Sequence, residues 1–175
     1  MLRFLAPLAI FAILGVVFVM GLRSGDPGEI PSPLLSKPLP AFTLARVLDP
    51  SEQVSSEVML GAPALLNVWG SWCVNCAVEH DFLMRLADSG RIRIFGLNWN
   101  DERANAQQWL ADRGDPYQFS AHDAEGRVAI DLGVYGAPET FLVDANGTIV
   151  HKHIGPLTDT IWQDDFLPRL EALSQ

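Results

Sequence analysis

The chain is predicted to be α/β with a mixed sheet. Three observations carry that expectation. Residues 64–69 form a short apolar run after Gly61 and Pro63, and a helical pattern and a second strand-like run at 92–97 follow it, which is the layout of a βαβ unit. Two β-rich runs, 140–143 and 148–151, flank Asp144-Ala145-Asn146-Gly147, and Asn-Gly in that position marks a hairpin. Residues 158–173 then read as a closing helix.

The elements follow in order along the chain. Residues 4–22 contain no charged side chain, with Arg3 before them and Arg23 after. Nineteen residues at a helical rise of about 1.5 Å span roughly 29 Å, close to a bilayer core. The run is longer than the apolar core of a cleaved signal and ends without a small-x-small site, so residues 1–23 are expected to be an uncleaved membrane anchor. Residues 24–38 are rich in Pro and Gly and read as an extended tether. The domain proper is expected over 39–175. Within it, the strand at 64–69 leads into a helix at 78–87, with Phe82, Leu83 and Leu86 on one side and Gly90 just past its end. The strand at 92–97 is followed by a helix at 101–113 that Gly114 ends, and by a shorter helix at 125–132.

Composition narrows the function classes. The chain has 175 residues, a formal net charge of −9 and two cysteines. An acidic chain is a poor nucleic-acid ligand, because phosphate binding draws on clustered Lys and Arg. Two cysteines make neither a disulfide scaffold nor a four-thiolate zinc site. The mean hydropathy of +0.16 belongs largely to residues 4–22, and all 21 acidic residues lie beyond them. Arg3 and the amino terminus favour a cytoplasmic N-terminus, while Arg23 pulls the other way. The domain is therefore expected on the periplasmic side of the inner membrane, held by a single pass.

The chemistry concentrates at Cys73-Val74-Asn75-Cys76, between a buried strand and a helix. A sulfur at a helix N-terminus meets free amides and the positive end of the macrodipole, and both favour thiolate. Cys73 is the expected nucleophile and Cys76 the resolving thiol. A structural disulfide, half of a zinc site and a buried thiol pair are the competing readings. So short a loop makes a weak staple. The candidate zinc ligands His80, His122, His151 and His153 have no usual spacing. His80 is expected on the surface of the first helix.

Residues 67–76, reading NVWGSWCVNC, resemble the active-site segment of the thioredoxin superfamily. Together with residues 133–141, GVYGAPETF, they resemble the cytochrome c biogenesis thiol:disulfide interchange proteins of the CcmG/DsbE type. The resemblance covers roughly residues 36–172. It implies a thioredoxin-like fold, a mixed central sheet flanked by helices. It implies a periplasmic reductase that keeps the cysteines of apocytochrome c, or of their carrier, reduced for haem attachment. Its electrons would come from a membrane thiol transporter of the DsbD/CcdA type, and its only redox group would be the Cys73–Cys76 disulfide. A general periplasmic thiol-disulfide reductase or oxidase, and a copper or haem chaperone, are the alternatives. Pro138 would be a cis-proline beside the dithiol, exposing the backbone of Ala137 to a substrate strand.

Three positions depart from the family pattern. Val74 stands where many relatives carry proline, Ser36 where a glycine is frequent, and Asn67 where thioredoxins proper carry a buried acid. Glu79, three residues past Cys76, and Glu139, next to Pro138, are the acids expected to take over the missing carboxylate's part. A carboxylate near the dithiol disfavours thiolate and strengthens the dithiol as a reductant. Trp72 is expected to cover the dithiol, and Val74, Asn75 and Tyr135 to line the substrate surface. Trp69 is expected in the core, with Trp99, Trp109 and Trp162 as packing residues.

Overall fold

The computed structural model describes residues 10–11, 13–20 and 34–173. They fall in two units, Met1–Pro31 and Ser32–Gln175. In the first, residues 10–11 and 13–20 are helical and exposed. Among the described residues no helix is long and apolar enough to cross a membrane. The expected span of 4–22 includes residues 4–9, 12, 21 and 22, and most of the expected tether is 24–33; these lie outside the described residues.

The second unit carries the α/β fold. β1 (Thr43–Ala45) and β2 (Gln53–Ser55) form a small antiparallel pair. β3 (Ala64–Trp69), β4 (Arg93–Trp99), β5 (Ser120–Asp123), β6 (Glu139–Val143) and β7 (Ile149–Ile154) form one sheet in the order β5-β4-β3-β6-β7. β3 runs parallel to β4, and β4 to β5, whereas β6 is antiparallel to both β3 and β7. The sheet is therefore mixed, and β3 is its centre.

β3 is buried along its whole length, so its two faces seed two cores. Leu65 and Trp69 point to one face, where they pack with Leu83 and Leu86 of α1 (Val74–Asp88) and with Leu110 of α2 (Arg103–Arg113). Ala64, Leu66 and Val68 point to the other, with Phe95, Phe141 and Leu132, which follows α3 (Arg127–Asp131). Two-residue alternation puts Asn67 on the first face, beneath α1. The hairpin forms as expected. Gly147 takes φ +84°, and Asp144 Oδ1 accepts the amides of Asn146 and Thr148.

Four details differ from the sequence expectation, each for a local reason. α1 begins at Val74 rather than Val78, because Cys73 itself caps it. α2 begins at Arg103 rather than Asp101, because the Asp101 carboxylate is engaged by Ser71. The closing helix is broken into α4 (Asp159–Ile161), a π-helical turn (Trp162–Phe166) and α5 (Leu167–Ala172). Pro168 has no amide to donate to the carbonyl four residues back, which accounts for irregular backbone just ahead of it. β1, β2 and β5 lack a long apolar run; β5 reads Ser-Ala-His-Asp and is recognisable only through its pairing with β4.

Gly96 in β4 is a close-packing requirement. Trp69 Nε1 donates to Ser120 Oγ at 2.8 Å directly above it. A Cβ on residue 96 would lie 2.8 Å from that nitrogen and 2.5 Å from that oxygen. Gly96→Ala is expected to break this bond and destabilise the domain by about 1–3 kcal/mol, read as a lower denaturant midpoint at unchanged slope.

Candidate active site

α1 starts at the dithiol. Cys73 is the N-cap residue, with φ −90° and ψ 109°, and its sulfur accepts the Cys76 amide at 3.0 Å. The sulfur thus takes the place of the usual Ser or Asp oxygen, satisfying one of the helix's free donors. The same bond stabilises negative charge on Cys73 once the disulfide is opened. In this structure Cys73 and Cys76 are disulfide-bonded. Both are nearly enclosed, at 5% and 2% exposure.

The turn before Cys73 is held from below. Asp101 accepts the Ser71 amide at 2.6 Å and the Ser71 hydroxyl at 2.7 Å, and Asn98 donates to the same carboxylate at 2.8 Å. Trp72 Nε1 donates to the Trp99 carbonyl at 3.2 Å, and the two rings meet edge to face. Gly70 leaves room for this ring, since a Cβ there would lie 2.6 Å from Trp72 Nε1. Trp72 is half-exposed beside the dithiol, and Val74, Asn75 and Tyr135 are exposed.

The cis-proline loop faces the dithiol from the other side. The Ala137–Pro138 peptide is cis. The Ala137 carbonyl oxygen lies 3.2 Å from Cys73 Sγ, and Pro138 is buried.

The two acids singled out from the sequence have different surroundings. Glu79 is 1% exposed on the inner side of α1. Its Oε1 accepts from Asn67 Nδ2 at 2.9 Å and its Oε2 from the Leu157 amide at 2.7 Å. Burial pushes its pKa up to about 7, against the opposing pull of those two donors. Glu139 is fully buried at the start of β6. Its Oε1 accepts the Tyr135 amide at 2.7 Å and the Gly136 amide at 3.3 Å, and its Oε2 lies 2.8 Å from Lys152 Nζ. Lys152 also donates to the Gly133 carbonyl at 2.7 Å and sits 4.6 Å from the Tyr135 ring centre. Glu139 and Lys152 therefore tie down the 133–137 loop from inside.

His80 is a correction: it is 1% exposed, not a surface residue. Its ring meets Trp109 edge-on at 4.4 Å, and Nε2 lies 3.2 Å from the Arg113 carbonyl oxygen. Burial lowers its pKa and favours the neutral ring. Extending the Leu83 and Leu86 stripe back by one helical turn lands on Glu79 and His80, and by two turns on Cys76, so the sequence does hold the signal for their burial. Trp69 is core as expected, stacked on Tyr117. Asp101, Lys152, Tyr117 and Thr140 were not among the sequence candidates. They come from distant segments and meet the site only through folding.

A disulfide at the start of a helix, opposite a cis-proline loop and above a buried carboxyl, on a sheet of this order, defines a dithiol–disulfide oxidoreductase of the thioredoxin type. Comparisons specify the group. Residues 35–166 match the Redoxin family. The thiol:disulfide interchange protein DsbE of Pseudomonas aeruginosa is 46% identical over 169 residues, covering 97% of this chain and 93% of that one. Its counterpart in Escherichia coli strain K12 is 40% identical over 176 residues, covering 98% of this chain and 95% of that one. A secreted thiol-disulfide isomerase of Corynebacterium glutamicum shares the fold, with a TM-score of 0.67 at 24% identity, over 76% of this chain and 85% of that one. The chain belongs to the Redoxin family and, within it, to the DsbE type of thiol:disulfide interchange proteins.

The buried carboxyl has a consequence for stability. The Glu79 pKa is raised from 4.5 to about 7 on folding. The native state then holds the extra proton between those values, so stability is full below about pH 4.5 and falls as pH rises through about 7. The loss is on the order of 3 kcal/mol. Chemical denaturation of the oxidised protein across this range is expected to show the decline, and Glu79→Gln to flatten it.

Proposed function

We propose that this protein is a membrane-anchored periplasmic reductase that keeps the cysteines of apocytochrome c, or of their carrier, as thiols for haem attachment. The observation that carries the reading is the Cys73 sulfur capping α1 opposite the cis Ala137–Pro138 peptide, with Trp72, Val74 and Tyr135 exposed around it. Such a surface accepts an extended segment that carries a cysteine. The GVYGAPETF stretch and the apolar run at 4–22 support the cytochrome-maturation assignment and the anchor.

The reaction follows from thiol exchange. The Cys73 thiolate attacks one sulfur of a substrate disulfide, forming a mixed disulfide and expelling the other substrate sulfur as a thiolate that takes a proton. Glu79 accepts the proton of Cys76, and the Cys76 thiolate then attacks Cys73 Sγ. The second substrate sulfur leaves as a thiolate, which takes a proton, and Cys73–Cys76 is again a disulfide. Two electrons have passed to the substrate. A membrane thiol transporter of the DsbD/CcdA type returns the dithiol by the same exchange in reverse. A carboxyl with a pKa of about 7 is well matched to an ordinary thiol near 8.5. Its negative charge also opposes thiolate formation nearby, which favours a reducing dithiol. Glu139 contributes by shaping the loop that presents Ala137, through its bonds to Tyr135 and Gly136.

Trapping tests the substrate. Cys76→Ser in the full chain is expected to hold an apocytochrome, or a thiol protein that handles it, as a mixed disulfide on Cys73. Capture restricted to unrelated periplasmic proteins would instead favour a general reductase. For the proton step, Glu79→Gln is expected to slow resolution of the mixed disulfide about 10²-fold near neutral pH, followed by stopped-flow Trp fluorescence. A rate equal to the parent's would remove Glu79 from the mechanism.

A further inference from the structure

Asn67 lies at the centre of a hydrogen-bonded junction behind Glu79. Its side-chain oxygen accepts from the Tyr117 hydroxyl at 2.8 Å. Its amide nitrogen donates to Glu79 Oε1 at 2.9 Å and to Thr140 Oγ1 at 3.0 Å. Asn67, Glu79 and Thr140 are each no more than 1% exposed, and Tyr117 is 7% exposed. An amide can be turned by half a rotation with almost no change in shape, so its orientation is chosen by its partners. Tyr117 makes the choice here. Its hydroxyl needs an acceptor, and burial, reinforced by the charges of Glu79 and Asp115, keeps the phenol protonated. The amide oxygen is therefore drawn towards Tyr117, and the NH2 group is committed to Glu79.

We propose that Tyr117 is a positioning residue for the exchange reaction: acting through Asn67, it keeps a hydrogen-bond donor, rather than an acceptor, against the Glu79 carboxyl. The proposal rests on Glu79 as the proton acceptor of Cys76, and it adds what sets the proton affinity of that acceptor. A donor stabilises the carboxylate and holds the proton affinity down, against burial. Were the amide turned, its oxygen would meet the carboxyl, favour the protonated form and leave Glu79 slow to accept a proton at neutral pH. The charged groups that act on Tyr117 are Glu79 of α1 and Asp115 ahead of β5, and His80 of α1 acts in turn on Asp115. From β3, β6 and the segment after β7 come Asn67, Thr140 and the Leu157 amide. Asp115 accepts the Tyr117 amide at 2.9 Å, which fixes the ring's approach to Asn67.

The experiment is an infrared pH titration of the Glu79 carboxyl stretch in the oxidised full chain, with the band identified by its loss in Glu79→Gln. Tyr117→Phe is expected to raise the midpoint by about one pH unit, and Asn67→Ala to raise it as well. In the Asn67→Ala background, Tyr117→Phe is expected to add nothing, because its route to Glu79 is gone. Thr140→Val, which leaves the Tyr117–Asn67–Glu79 chain intact, is expected to move the midpoint least. An unmoved midpoint in Tyr117→Phe, or an equal shift with and without Asn67, overturns the proposal. If Tyr117→Phe fails to fold, an unmoved midpoint in Asn67→Ala overturns it. The titration reads the carboxyl directly, so it stands or falls separately from the resolution rate of Glu79→Gln, which tests the role of Glu79 itself.

Discussion

A helix that begins one residue after a reactive cysteine has free amides to satisfy, and here the cysteine sulfur satisfies one of them. The bond from the Cys76 amide to Cys73 Sγ links chemistry and architecture. It requires a strand that stops at Trp69, a tight turn through Gly70 and Ser71, and a helix that starts at Val74. The fold supplies each requirement from elsewhere. The end of β4 and Asp101 clamp the turn, the Trp99 ring and carbonyl seat Trp72, and the 133–138 loop closes the opposite side. A helix N-terminus lowers the cost of thiolate at the exposed edge of the site. The buried carboxyl behind it has the opposite influence. The dithiol sits between these two electrostatic environments.

The carboxyl has moved relative to thioredoxins proper. The sequence reading finds Asn67 where a strand acid is expected, and Glu79 as a substitute one helical turn past Cys76. In the structure both belong to one arrangement, because Asn67 donates to Glu79. An acid supplied from α1 still needs a partner on the sheet, since a buried carboxyl without donors would lose its charge altogether. An amide fills that need where a second carboxylate would repel. Glu139 lies on the same sheet but is neutralised by Lys152, both almost fully enclosed. Two acids that look alike along the chain thus differ in surroundings: Glu139 is held in a buried ion pair, and burial pushes the Glu79 pKa up to about 7.

Much of the architecture was legible in the sequence because it rests on local patterns. The apolar run of β3, the Phe82, Leu83 and Leu86 stripe, and the Asn-Gly turn each report on residues close in the chain. The cysteine pair was legible for the same reason, since two thiols one helical turn apart at a strand–helix junction are a local arrangement. What stayed hidden depends on distant partners. β5 becomes a strand because β4 offers it a free edge, and its own composition gives little sign of it. His80 reads as a surface residue of the first helix, whereas its ring packs on Trp109 from another helix.

The sequence by itself therefore determined the strand–turn–helix that carries the dithiol, the hairpin and the class of chemistry, because each arises from neighbours within a few turns of backbone. Only the tertiary structure decided the state of the groups around that dithiol. Burial, hydrogen-bond donors and paired charges come from segments 12 to 78 residues away in the chain. Their sum separates a carboxyl poised to take a proton from one locked into an ion pair. Proton affinity is a property of surroundings, and those exist only once Asn67, Tyr117, Thr140 and Leu157 have been brought together around Glu79.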